Sequence, residues 1–421
     1  MFYISIVLLL VWPSYIVYKA GVLPGMTLDR IFLLVLGISF LINFLFKNNF
    51  IVRFKPYTKE IFLVISMFIW MLFSSFFADN TIKSVFASIN WFLSGPFLMI
   101  YLIAFFKNDN DLKSVILVIL FVLIIINSLG LIEMINKTPL FKNYLITETE
   151  STLLAGTEEK LRGGIYRIKS VFSNPLVYAQ ILVASIPLWL SALLSTKGLA
   201  KVFILINVII TYILLFKTDS RAGLALALAM PMLFFYISLY KRKRYFILKK
   251  IVNFILLPLL LILLSINIYM KFDDANQMHT LSMEGKIGQE EVSSLARILQ
   301  IKMGLDVLER HPIVGQGQGE ALRELEPLRS IDNYYLTIIL STGIVGFFLW
   351  LFFLLKIFQK GVKSIRYYND PTVKYYTLSF LILLIYYTIL SIDKGNNLLF
   401  ILAGIILIRF KLSHSNQELK I

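Results

Sequence analysis

Long apolar runs separated by short polar breaks fill this chain of 421 residues. A helix needs about 17–25 mostly apolar residues to cross the hydrocarbon core of a bilayer. About twelve runs of that kind stand at roughly 2–18, 30–46, 60–77, 84–106, 114–133, 174–195, 201–216, 222–240, 251–270, 333–355, 375–391 and 396–410. They predict an all-α polytopic membrane protein, a single integral membrane domain over 1–421. Trp12-Pro13 interrupts the first run and no Ala-x-Ala-like site follows, which favours a retained span over a cleaved signal.

Only two connections are long, 134–173 and 271–332, and connections of that length are usually functional or disordered. Within the second, Leu295 to Arg310 reads as an amphipathic helix with Ile298, Ile301, Leu305 and Leu308 on one face. That pattern predicts a helix lying on the bundle or at the lipid interface, ending at His311-Pro312. The same connection carries seven Lys/Arg against eleven Asp/Glu.

Composition agrees: 58% hydrophobic residues and a mean hydropathy of +0.78 exclude a soluble chain of this length. A net charge of +16 could suggest a nucleic-acid partner, but the placement of the charge follows the positive-inside rule instead. With the N-terminus inside, the segments 47–59, 107–113, 197–201, 241–250, 356–374 and 409–421 hold 22 Lys/Arg. The short loops on the other side hold six: Lys19, Arg30, Lys83, Lys217, Arg221 and Lys394. This places both termini in the cytoplasm and both long connections outside. Lys241-Arg242-Lys243-Arg244 then reads as an anchor facing anionic membrane lipid, with no nucleic acid implied. There are no cysteines, so disulfide and thiolate chemistry are excluded, and His279, His311 and His414 form no zinc-binding pattern.

Candidate chemistry gathers at the outer mouths of the spans. The first long connection reads Thr147-Glu148-Thr149-Glu150, then Arg162-Gly163-Gly164-Ile165-Tyr166-Arg167, and ends in Ser173-Asn174-Pro175. Arg221 opens a span after Thr218-Asp219-Ser220; it reads equally as a helix-end arginine paired with Asp219 or as an anion site, because guanidinium matches phosphate oxygens bidentately. Arg167 and Arg297 present the same alternatives. Gly315-Gln316-Gly317-Gln318-Gly319 lacks the strand and the Lys-Ser/Thr of a phosphate-binding loop and reads first as a flexible connector, although its backbone N–H groups could meet an anion. Asp332 stands where the second connection meets a span, as a helix cap or as a base near a sugar hydroxyl. Gly343 and Gly346, the first separated from Asn333 by nine residues and the two one turn apart, suit close packing by a neighbour.

In content and order, Arg167…Ser173-Asn174-Pro175, Ser220-Arg221-Ala222-Gly223, Arg297…Pro312-Ile313-Val314-Gly315-Gln316-Gly317 and Asp332-Asn333…Gly343-x-x-Gly346 resemble the O-antigen ligase and polymerase superfamily. The resemblance spans 167 to 346. It implies a glycosyltransferase that uses undecaprenyl-diphosphate-linked glycan at the outer face of the bacterial cytoplasmic membrane, without metal ion, nucleotide sugar or other cofactor. Arg221 and Arg297 are implied to hold the diphosphate leaving group with Arg167 as a further contact; Arg162, Asn174, Asn333, Gly315 and Gly317 become candidate substrate-binding residues. Asp332 falls where the ligase pattern has histidine, and a carboxylate accepts a proton but is not a neutral donor–acceptor. That departure favours the polymerase branch, which assembles capsular, exopolysaccharide or O-antigen repeat units, with flippase and chain-length-regulator proteins as implied partners. Ligase-type transfer of finished glycan to a lipid, protein or cell-wall acceptor is the alternative within the superfamily. A lipid-linked sugar transporter is the alternative outside it, although no internal repeat supports one.

Overall fold

A computed structural model describes residues 2–13, 16, 27–46, 51–106, 108–141, 159, 161–162, 164–239, 289–320, 331–367, 372–388 and 394–418. Its helices are α1 (Phe2–Val11), α2 (Leu28–Phe46), α3 (Thr58–Ser75, entered by a 3-10 turn over Ile51–Tyr57), α4 (Thr81–Ser94), α5 (Pro96–Phe105) and α6 (Asp109–Asn136). After a hairpin of β1 (Leu161–Arg162) and β2 (Ile165–Tyr166) come α7 (Pro175–Ser195), α8 (Gly198–Lys217), α9 (Arg221–Leu239), α10 (Gln289–Arg310), α11 (Tyr334–Tyr367), α12 (Val373–Tyr386) and α13 (Lys394–Glu418). The hairpin is antiparallel, Leu161 facing Tyr166 and Arg162 facing Ile165.

Eight helical stretches among the described residues are long and apolar enough to cross a membrane, and Phe2–Val11, Arg221–Pro231 and Val373–Tyr386 are shorter apolar helices beside them. The chain is an all-α, multi-pass membrane protein. Every expected span falls on a helix except 251–270, which lies outside the described residues, as do Lys241–Arg244 and Thr147–Glu150. Several boundaries differ from expectation, among them the end of α1 at Val11, and two have a local cause in the sequence. The run 84–106 divides at Gly95-Pro96 into α4 and α5, since proline has no N–H to continue the ladder and suits a first helical position. The run 333–355 continues as helix to Tyr367, because Lys356, Lys360 and Lys363 are good helix formers.

Burial sorts the helices. The apolar windows of α7 and α13 are each 78% buried, against 11% for α2, so α7 and α13 form the interior with α5 and α12, and α2 is a peripheral helix. Trp189, Trp350, Tyr386, Tyr387 and Phe400 fill this interior.

The fold's main irregularity is in α11. Gly343 has φ 65° and ψ −172°, which interrupts the helix. In a bilayer the carbonyls freed by such a break cost several kcal/mol each, on the order of 2–7, unless they find donors. Here each does. The Leu340 and Ser341 carbonyls accept from the N–H groups of Gln316 and Gly317, both at 2.9 Å, and the Thr342 carbonyl accepts from Trp70 Nε1 at 2.8 Å. Ser74 Oγ lies 2.7 Å from both the Ser341 and Val314 carbonyls. On the far side of the break, Ile344 N–H donates to the Pro312 carbonyl at 2.9 Å. The segment Pro312–Gly317 is therefore docked like a strand into the opening of a broken helix. Gly315 (φ 74°) has no room for a side chain, since a Cβ there would stand 2.5 Å from the Gly343 nitrogen.

Candidate functional site at one end of the bundle

A continuous chain of contacts links the loop–helix junctions that carry the candidate residues. It begins at Glu133, buried near the end of α6, whose carboxylate accepts from Tyr166 OH at 2.7 Å, from Lys169 N–H at 3.1 Å and from Ser170 N–H. Ser170 takes φ 53° to aim that N–H, and Lys169, itself buried, adds an opposing charge. These bonds fix the segment 166–170, which lies against the C-terminal end of α8: Ile168 N–H donates to the Lys217 carbonyl at 3.3 Å.

Arg167 sits within that clamped segment. Its Nε donates to the Thr218 carbonyl at 2.9 Å and an Nη to the Asp219 carbonyl at 3.5 Å. A cation at a helix C-terminus satisfies orphan carbonyls and opposes the negative end of the dipole. Arg167 thus holds the α8–α9 turn, at residues two and three positions before Arg221.

Ser220 starts α9. Its Oγ accepts from Gly223 N–H at 3.1 Å, as an N-cap does, and lies 2.8 Å from Tyr386 OH. The guanidinium-bearing Arg221 is exposed at the first position of α9. Tyr386 ends α12, and the next residue carries the path onward: the Tyr387 carbonyl accepts from Tyr334 N–H at 2.9 Å. Below it a buried polar-tipped aromatic cluster locks the junction. Tyr334 OH accepts from Trp91 Nε1 at 2.9 Å and from Asn396 Nδ2 at 2.6 Å, while Tyr387 OH donates to Asn396 Oδ1 at 2.8 Å.

Asp332 and Asn333 lie immediately before Tyr334. The cap of α11 is Asn333, whose Oδ1 accepts from Leu336 N–H at 3.1 Å, so the helix-cap reading of Asp332 is corrected to its neighbour. Asp332 is held instead by its main chain, its N–H donating to Gln300 Oε1 of α10 at 2.8 Å. Arg297 is one turn before Gln300 on the same helix. The side chains of Arg297 and Arg162 lie outside the described residues; Arg162 is on β1, four residues before Tyr166, whose hydroxyl binds Glu133.

α10 packs on the bundle beside the first half of α11, and runs parallel to it. Gln300 meets Asp332, Gly304 meets Leu336, and Val307 packs with Ile331 and Leu340. This corrects the expected contact face in part. Leu308 packs beside Val307, but Leu305 is 50% exposed and the buried positions are Gln300, Gly304 and Val307, because Gly304 gives the room that Leu336 occupies and Gln300 finds a main-chain donor. The Ile298 side chain lies outside the described residues.

Two further expectations change. The glycine segment is neither a loose connector nor a ready anion cradle: the N–H groups of Gly315, Gln316 and Gly317 donate to the carbonyls of His311, Leu340 and Ser341. Gly315 and Gly317 shape the docked loop. Asn174 caps α7, its Oδ1 accepting from Leu176 N–H at 2.9 Å, and so positions that helix start. Residues that sequence reasoning missed include Ser220, Tyr386, Tyr387, Tyr334 and Gln300, which connect the junctions. A visible signal was the Tyr386-Tyr387 pair at the end of an apolar run, since tyrosines at such ends offer an apolar ring and a polar tip. Gln316 was also passed over; it is 5% exposed and its amide has no hydrogen-bond partner among the described residues.

Residues 206–351 match the O-antigen ligase family model. The match supports the likeness of this segment to the O-antigen ligase/polymerase superfamily. The matched region begins within α8, takes in Arg221, Arg297 and Asp332, and ends beyond the break at Gly343. Arg167 and its Glu133 clamp lie ahead of it. No curated protein matches the chain. The family supports a glycosyl-transfer enzyme in polysaccharide biosynthesis.

Proposed function

We propose that the chain is a bacterial cytoplasmic-membrane polymerase that joins undecaprenyl-diphosphate-linked oligosaccharide units at the outer face, with both termini in the cytoplasm. The reading rests on one observation above all: Arg221 at the start of α9 and Asp332 before α11 are joined by the path Ser220–Tyr386–Tyr387–Tyr334. Two helix N-termini, whose N–H groups and dipoles favour anions, thereby serve one region of the bundle.

In the proposed reaction a terminal sugar hydroxyl of one lipid-linked unit attacks the anomeric carbon of the glycan on another. The new glycosidic C–O bond forms as the C–O bond to the diphosphate breaks, and the electron pair leaves on the diphosphate. Arg221 and Arg297 stabilise that charge, and the hydroxyl proton passes to the Asp332 carboxylate. In-line attack inverts the anomeric centre. No step in this scheme requires a metal or nucleotide. Flippase and chain-length-regulator proteins are the expected partners.

The family description itself favours a second reading, ligation of finished glycan to a lipid, protein or cell-wall acceptor. The aspartate at 332, where the ligase pattern places histidine, favours polymerisation. Arg221→Ala and Arg297→Ala, each with membrane insertion verified, are expected to lower transfer by about 10²–10³-fold, the usual cost of a transition-state charge donor. Normal long-chain polymer in both variants refutes the diphosphate role. Accumulation of long lipid-linked chains identifies a ligase; accumulation of single repeat units identifies a polymerase.

A further inference from the structure

At the opposite end of the bundle, we propose a binding site for the phosphate headgroup of an anionic phospholipid, formed between the starts of α3 and the late turns of α11. A cavity of about 370 Å³ there is lined by Lys55, Lys59, Lys356, Lys360 and Lys363, with Glu60 as its carboxylate. Five ammonium groups against one carboxylate leave the cavity strongly positive.

Positive-inside placement explains why lysines are frequent at this end, but not why they converge on a concavity. The local structure shows a built arrangement. Glu60 is 3% exposed and pairs with Lys360 at 2.9 Å, which neutralises the one acidic group and fixes Lys360 in the wall. Lys356, Lys360 and Lys363 follow a spacing of four and three along α11, so they share one helix face. The 3-10 turn over Ile51–Tyr57 leads into α3 beside them and carries Lys55 into the wall, where the Thr58 hydroxyl donates to the Lys55 carbonyl.

Apolar surface next to the cavity selects a lipid over a free anion. Phe352 is four residues from Lys356 and Phe62 is three from Lys59; they are 55% and 69% exposed, with Leu355 and Ile65 continuing the apolar rows on the same helices. A diacyl phosphate can place its headgroup among the lysines and its chains along these rows. Basic pockets between transmembrane helices recognise lipid headgroups by this combination. The proposal is independent of the glycosyl-transfer reading.

The test uses the full chain reconstituted in vesicles of phosphatidylcholine and phosphatidylglycerol in equal parts, with retained lipid measured by native mass spectrometry. The wild type is expected to retain phosphatidylglycerol preferentially. The combined Lys55→Gln, Lys356→Gln and Lys363→Gln variant keeps the Glu60–Lys360 pair. Each lysine near an anionic lipid is worth about fivefold in affinity, so the three together should lower retention by about a hundredfold. The corresponding lysine-to-arginine variant keeps the charge and should keep the preference, separating lost binding from lost folding. Equal retention by wild type and glutamine variant overturns the site. Lysine-dependent stabilisation by inorganic phosphate in neutral detergent, without preference for phosphatidylglycerol, overturns the lipid assignment and identifies a soluble phosphate as the ligand.

Discussion

Replacing Asp332 by asparagine separates the proposed chemistry from helix capping, because the cap of α11 is the adjacent Asn333. The variant keeps the main-chain bond to Gln300 at 2.8 Å, and the cap from Leu336 N–H to Asn333 Oδ1 at 3.1 Å involves a different side chain. Half-exposed substitutions that break no such feature change stability by within about 0.5 kcal/mol. Asp332→Asn should therefore leave the thermal unfolding midpoint of the detergent-purified protein almost unmoved, followed by tryptophan fluorescence. Its transfer activity should fall by about 10²–10⁴-fold, the contribution of a positioned base. Asn333→Ala behaves in the opposite sense: losing the cap costs about 1 kcal/mol and lowers the midpoint, while activity falls less because the carboxylate remains. Polymer length on gels and single-turnover transfer in proteoliposomes supply the activity readout. Wild-type transfer by Asp332→Asn, or a stability loss matching that of Asn333→Ala, refutes the assignment of the carboxylate to chemistry.

Three other substitutions probe the scaffold. Gly343→Ala forces a side chain into a left-handed position against the Ile313 carbonyl; backbone strain alone costs about 1–3 kcal/mol, and the docked loop should become accessible to limited proteolysis at Pro312–Gly317. Glu133→Gln replaces an acceptor of three bonds by a group with one acceptor oxygen, leaving a buried donor unmatched at a cost of about 1–3 kcal/mol, read as a lower unfolding midpoint. Tyr386→Phe removes the partner of Ser220 Oγ at about 0.5–1.5 kcal/mol; the protein should insert normally while transfer falls through a misplaced α9 start, and unchanged transfer refutes the coupling of the two junctions.

Much of the fold could be read from apolar run length, because a bilayer demands uninterrupted helices of known length. Which helices are interior could not. Lipid and protein interior are equally apolar, so the sequences of α2 and α13 look alike although their windows are 11% and 78% buried. Of the candidate site, the residues at span mouths were visible because charge at a helix start is conspicuous, and Arg221 and Asp332 do stand at linked junctions. The structural duties of Arg167, Asn174 and Asn333 were not visible, since each depends on which backbone carbonyl or N–H lies within reach. Gly315 and Gly343 appeared as separate motifs. Their relation, the Gly343 backbone filling the place of a Gly315 side chain and the Ile313–Val314 backbone filling that of a Gly343 side chain, exists only when residues distant in sequence are brought together.

The break at Gly343 and the junction at Asp332 serve the same end. An unbroken α11 would satisfy its own carbonyls and have no use for Pro312–Gly317; the break creates acceptors that only an outside strand, Trp70 and Ser74 can meet. The loop that follows α10 is thereby fixed at one end, while Gln300 fixes the helix itself to Asp332. With both attachments made, α10 holds its register against α11, Gly304 to Leu336 and Val307 to Leu340, and the helix bearing Arg297 is held beside the junction bearing Asp332. A long connection between spans would otherwise leave Arg297 free to wander relative to Arg221. The cost of interrupting a membrane helix is offset by the hydrogen bonds of the docked loop, and the result is a rigid placement of the helix that bears Arg297.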